Sequence, residues 1–113
     1  MSGGEVLSPA EIEKILRVTP GDTPMGLRNR ALLVGLFADG LRVKEIIGLT
    51  AAEAEWEDFA RSYRNEIDAW MGEREALGFD RFGPFFTSLE GEALTPAYVR
   101  GLVRKTRAAA VKG

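Results

Sequence analysis

The chain has 113 residues, 45% of them hydrophobic, with 15 Lys and Arg, 17 Asp and Glu, and neither His nor Cys. That length suits one domain, and the apolar fraction excludes a disordered chain. A net charge of −2 excludes a globally basic nucleic-acid binder but not a local basic patch. Without His or Cys there is no disulfide, thiol nucleophile, imidazole base or ordinary zinc site, which leaves only a carboxylate metal site open in principle; no metal or other cofactor is expected. Met1–Glu5 carries no leader-like basic or apolar stretch. The longest apolar run, Ala31 to Ala38, is too short to span a bilayer. A soluble, cytoplasmic protein without membrane contact is expected.

In chain order, residues 1–7 read as a flexible lead. Ser8-Pro9-Ala10-Glu11 then opens a helix: Ser8 as cap, Pro9 at the first position, Glu11 reaching back in a capping box. Ile12, Ile15 and Leu16 form its inner stripe, and Pro20-Gly21-Asp22 ends it. Thr23-Pro24 repeats the signal. The helix that follows runs to about Asp39 and is apolar all round over residues 31–38, which places it inside the core. Gly40 suits a left-handed position past its end. Val43 to Gly48 predicts a short helix with Val43, Ile46 and Ile47 inward.

Thr50-Ala51-Ala52-Glu53 is another capping-box pattern. It predicts one long helix to Leu77, because Trp56, Phe59, Ala60, Tyr63, Ile67, Trp70, Met71 and Leu77 follow a period near 3.6. Phe82 to Thr87 reads as extended around Pro84. Thr95-Pro96 opens a last helix with Tyr98, Val99, Leu102, Val103, Thr106, Ala109 and Ala110 inward, and Arg100, Arg104 and Arg107 as one outer ridge. No strand of ordinary length is expected. The fold class is all-α: a single domain over 1–113 of about five helices, its helical core spanning 8–110.

Charge is unevenly placed. Residues 51–80 hold nine acids and three bases, whereas residues 93–113 hold five bases and no acid. Such a split fits nucleic-acid contact, pairing of the two segments with each other or across a dimer, or ordinary solvated faces.

Three blocks, Leu7 to Leu16, Gly26 to Leu33 and Gly40-Leu41-Arg42-Val43-Lys44-Glu45 to Leu49, resemble the opening of the catalytic domain of phage integrases and Xer-type tyrosine recombinases. Pro84 to Ser88, Gly91 and Leu94 to Lys105 resemble a later element of that domain more weakly. The resemblance implies that Arg42 is the first family arginine, whose planar fork holds a scissile phosphate, and that Glu45 holds Arg42. It also implies that Arg100, Arg104 and Lys105 lie on a helix facing the duplex, and Arg107, on the same ridge, joins them as a candidate for phosphate contact. The family's β-hairpin and turn Lys have no counterpart after Leu49, and its H-x-x-R box and nucleophilic Tyr are not found. A non-enzyme is therefore expected: an inactive, recombinase-like protein of mobile-element type, associated with DNA or modulating a full-length recombinase.

Other readings stand beside it. Arg42 also fits a structural pair with Asp39 or Glu45. Trp56, Phe59, Tyr63 and Trp70 fit either a core stripe or the seam of a homodimer, which would be an interaction module without a DNA role. Leu27–Asp39, Gly40 and Val43–Leu49 mimic a helix-turn-helix regulator.

Overall fold

A computed structural model describes residues 4–112. Six α-helices follow in order: α1 Pro9–Arg17, α2 Pro24–Ala38, α3 Val43–Gly48, α4 Ala51–Ala54, α5 Arg64–Ala76 and α6 Pro96–Lys112, with a 3₁₀ turn at Arg61–Tyr63 before α5. Among the described residues there is no strand, only isolated bridges pairing Thr50 with Pro84 and Thr87 with Ala93. The all-α expectation therefore holds.

The helix starts are those the sequence spells out. Ser8 Oγ accepts the Glu11 N–H while the Glu11 carboxylate accepts the Ser8 N–H, at 3.2 and 3.1 Å. Thr23 Oγ1 accepts the Gly26 N–H, and Thr50 and Glu53 form a second reciprocal pair. These bonds satisfy amides that the first helical turn leaves without intrahelical partners. At the other end of α1, the Arg30 guanidinium donates to the carbonyls of Leu16 and Thr19 at 2.7 and 2.9 Å.

Helix α2 is the centre of the molecule. Residues 31–37 are all buried, as an all-round apolar helix requires. Gly35 lets its neighbours reach the helix backbone. A Cβ there would lie 2.8 Å from Ile46 Cδ1 and 3.0 Å from Phe59 Cζ. Helices α1, α3 and α5 pack around α2, and α6 closes over α1 and α3. Gly40, at φ +68°, takes the left-handed turn that leads from α2 toward α3.

The expected long helix over residues 52–77 is broken, and this is the main correction to the sequence reading. Helix α4 stops at Ala54, and Ala60 adopts φ +48°. Two polar side chains stabilise the break. Asp39 Oδ2 accepts the Ala60 N–H at 2.8 Å. Arg64 Nη1 donates to the carbonyls of Ala54, Trp56 and Phe59. The break redistributes the aromatic stripe: Phe59 and Trp70 are core, Tyr63 is half-buried, and Trp56 is 70% exposed. Leu77, expected inward, is exposed too.

The segment around Pro84 is extended as expected. Phe85 and Phe86 are fully buried. The Trp70 indole N–H donates to the Phe85 carbonyl at 2.7 Å, and the Phe85 N–H to the Leu49 carbonyl at 2.8 Å. On α6, Val99 and Thr106 are buried and Leu102, Val103 and Ala110 partly so, while Tyr98 and Ala109, expected inward, are exposed. Part of the lead expected over 1–7, residues 1–3, lies outside the described residues. The rest is docked: the Gly4 N–H donates to the Gly40 carbonyl and the Leu7 N–H to the Phe37 carbonyl, and Leu7 is buried.

Candidate functional site

Where α3 meets α6, three arginines from two distant segments converge. Arg42 is the residue that precedes α3, and Arg100 and Arg104 lie one turn apart on α6. They edge a groove of about 360 Å³ whose floor is apolar, formed by Leu36, Phe37, Leu41, Val43 and Val103. Gly4 and Glu5 close one side. The arrangement has a simple origin. Val103 packs on the core and turns its neighbours on α6 outward, while the Gly40 turn sets Arg42 at the start of α3, beside α6.

The arginine side chains are exposed. Among the described residues, the guanidinium groups of Arg42, Arg100 and Arg104 make no ion pair. The structural pairs suggested for Arg42 do not form. The Glu45 carboxylate accepts the backbone N–H of Arg42 at 2.9 Å, so Glu45 positions this residue's main chain rather than its fork. Asp39 is engaged at Ala60 instead.

The remaining basic residues of α6 are placed differently from a single ridge. Arg107 is half-buried and pairs with Glu5, at 2.7 and 3.3 Å from its two carboxylate oxygens, with its fork over the Phe37 ring. That pair neutralises Glu5 beside the groove. Lys105 is exposed and lies outside the groove lining. Of the aromatic candidates for an interface, Trp70 and Phe59 are buried within the chain, so they cannot form a seam. Of these four candidates, Trp56 is the one that is exposed. Burial raises the Tyr63 pKa, and nearby Glu13 and Glu66 add to the shift. The helix-turn-helix reading fails on geometry: α3 has six residues, and Ile46 is fully buried against the core.

Two buried arginines, besides the capping Arg30 and Arg64, escape the sequence reading. Arg28, on α2, is buried and donates to the Thr87 carbonyl at 3.0 Å, to Asn29 Oδ1 and to the Tyr98 hydroxyl, with its fork over the Tyr98 ring. Arg74, on α5, is buried and donates to the carbonyls of Phe79, Asp80 and Pro84. Desolvation lowers the pKa of both. Arg28 stands with Asn29 and Arg30 in the polar part of α2, just before the apolar run Ala31 to Ala38, and nothing in that local sequence marks it as the buried one.

The groove can grip an anion with oxygens spread along its edge, since each guanidinium offers a planar fork of donors. Comparison with known proteins bears on what that anion is. The chain is 50% identical over 44 residues to the tyrosine recombinase XerD of Pseudomonas aeruginosa, a stretch covering 39% of this chain and 15% of the relative. It is 41% identical over 49 residues to XerD of Ralstonia nicotianae, covering 43% and 16%. It is 44% identical over 45 residues to the tyrosine recombinase XerC of Halalkalibacterium halodurans, covering 40% and 15%. Thus the matched stretch spans about one sixth of the length of these relatives. No protein-family profile and no solved structure matches.

These matches correct the expectation of a non-enzyme. The relatives are recombinases, hence enzymes, and with only a partial stretch matched, residues not found here cannot be counted as losses from a site. Over the matched stretch, the chain is similar to the Xer tyrosine recombinases.

Proposed function

We propose that this chain binds the sugar-phosphate backbone of duplex DNA through Arg42, Arg100 and Arg104, as a recombinase-like DNA-associated protein. The observation that carries the reading is the convergence of these three guanidinium groups, none ion-paired among the described residues, on one groove of a chain whose net charge is −2. A concentrated local patch on a mildly acidic chain orients binding: the acidic stretch 51–80 repels the polyanion while the α3–α6 face attracts it. Similarity to tyrosine recombinases supports DNA as the polyanion. Contact is to phosphate, so it does not depend on base sequence.

The test is fluorescence anisotropy of a labelled generic duplex across a salt series. Affinity is expected to fall steeply with salt, at about 0.9 log units per log unit of salt for each phosphate contact. In the double variant Arg100→Ala/Arg104→Ala that slope should be shallower by about 2. Equal slopes for variant and parent, or no binding by the parent at low salt, would overturn the reading.

A further inference from the structure

We infer that the arginine groove also receives Trp56 from a second copy of this chain, so that self-association and DNA binding compete for the same guanidinium groups. The pairing stands on its own observations; only the competition rests on the DNA reading. Trp56 is 70% exposed, whereas the other tryptophan, Trp70, is fully buried and hydrogen-bonded. The broken helix carries Trp56 on an acidic segment whose Glu53, Glu55, Glu57 and Asp58 are all exposed. It is an indole flanked by carboxylates, two of which, Glu55 and Asp58, also make exposed pairs with Arg81 and Arg61. The groove is its converse, an apolar floor edged by guanidinium groups. Seating the indole on that floor buries a large apolar ring, brings arginines to its face, and sets the carboxylates against them.

The occupant is a second copy because both halves of the complement lie on this chain. The groove arginines make no ion pair among the described residues. On the acidic side Glu57 makes none there either, while Glu55 and Asp58 have only exposed pairs with Arg81 and Arg61, which are weak and exchangeable. Among the described residues, no ion pair joins the acidic stretch 51–80 to the basic stretch of α6. The two features are neighbours on the surface. Leu41 lines both the arginine groove and the hollow of about 630 Å³ in which Trp56, Leu49, Phe59, Asp39 and Asp58 sit. A two-fold axis passing near Leu41 then sets each Trp56 opposite the partner's groove, and the contact is made twice.

The test uses charge exchange. Glu57→Lys/Asp58→Lys makes both patches basic, and Arg100→Glu/Arg104→Glu makes both acidic. Sedimentation velocity at low salt should show a dimer for the parent chain and monomers for each variant alone. A 1:1 mixture of the two variants should regain the dimer. Trp56→Ala, a change at an exposed site, should weaken the parent dimer about tenfold or more, with helical circular dichroism unchanged in every variant. Acrylamide should quench Trp56 in the monomer and not in the dimer, over a constant Trp70 background. Adding generic duplex should convert the parent dimer to a monomer–DNA complex. A parent that stays monomeric at low salt, a variant that dimerises alone, or a mixture that does not pair overturns the inference. Dimerisation with no duplex binding supports the pairing and sinks the DNA reading. Duplex binding by a strictly monomeric parent does the reverse.

Discussion

Thr87 shows how closely side chains are matched in this core, and where they are not. Its carbonyl accepts from the buried Arg28 fork, but its hydroxyl is fully buried with no hydrogen-bond partner among the described residues. An unsatisfied hydroxyl of this kind costs about 1–3 kcal/mol. Thr87→Val keeps the shape and removes the polar atom, so it is expected to stabilise the fold by about 1 kcal/mol. Urea denaturation monitored by circular dichroism checks this through a higher midpoint at unchanged slope. Arg28 explains why a charge is tolerated in the central helix: its fork reaches a carbonyl, an amide oxygen and a hydroxyl at once, which offsets the desolvation that lowers its pKa.

At the scale of elements, the capping boxes are the clearest link from sequence to structure, and they make the helices pH-sensitive. The pKa of Glu11 is lowered, first by its hydrogen bond from the Ser8 backbone and then by that with the Ser8 side chain. Glu53 is lowered in the same way by Thr50. A carboxylate whose folded pKa is depressed contributes stability that is present above its unfolded pKa and lost as pH falls through the folded one. The melting temperature should therefore decline as pH drops below about 5. The double variant Glu11→Gln/Glu53→Gln should melt lower at neutral pH and decline less with acid. Thermal melts from neutral to acid pH measure both effects. The starts of α1 and α2, the buried middle of α2 and the extended Pro84 segment were all legible, because their determinants lie within a few residues of one another. The break after Ala54 was not. The aromatic spacing from Trp56 to Trp70 satisfies a helix throughout, and the groups that stabilise the break include Asp39, 21 residues from the Ala60 amide it holds. The site was half legible: Arg42, Arg100 and Arg104 could each be named, but their meeting depends on α6 lying across α3. Arg107 was withdrawn from the ridge by Glu5, 102 residues away in sequence.

Across the whole molecule, the described chain has a radius of gyration of 12.8 Å, close to the ~13 Å typical of a compact body of 100 residues. No helix among the described residues is long and apolar enough to cross a membrane. Among the described residues no ion pair joins the acidic stretch 51–80 to the basic end of α6, and this uneven distribution gives the molecule a direction in the field of a polyanion or of its own copy. Residues 4–7 tie the front of the chain to both α2 and α6. They do so with two backbone hydrogen bonds, the buried Leu7 side chain and the partly exposed Glu5–Arg107 pair. Gly4 and Glu5 also form one wall of the arginine groove. That wall is thus the edge of the groove most ready to fray, because exposed ion pairs weaken with ionic strength whereas the helical wall opposite is held by packing. Raising salt from about 0.1 to 1 M should speed amide hydrogen exchange at Gly4 and Leu7 while Leu32 and Leu33 keep their protection. The cleft would then widen from one side only, before any helix loosens.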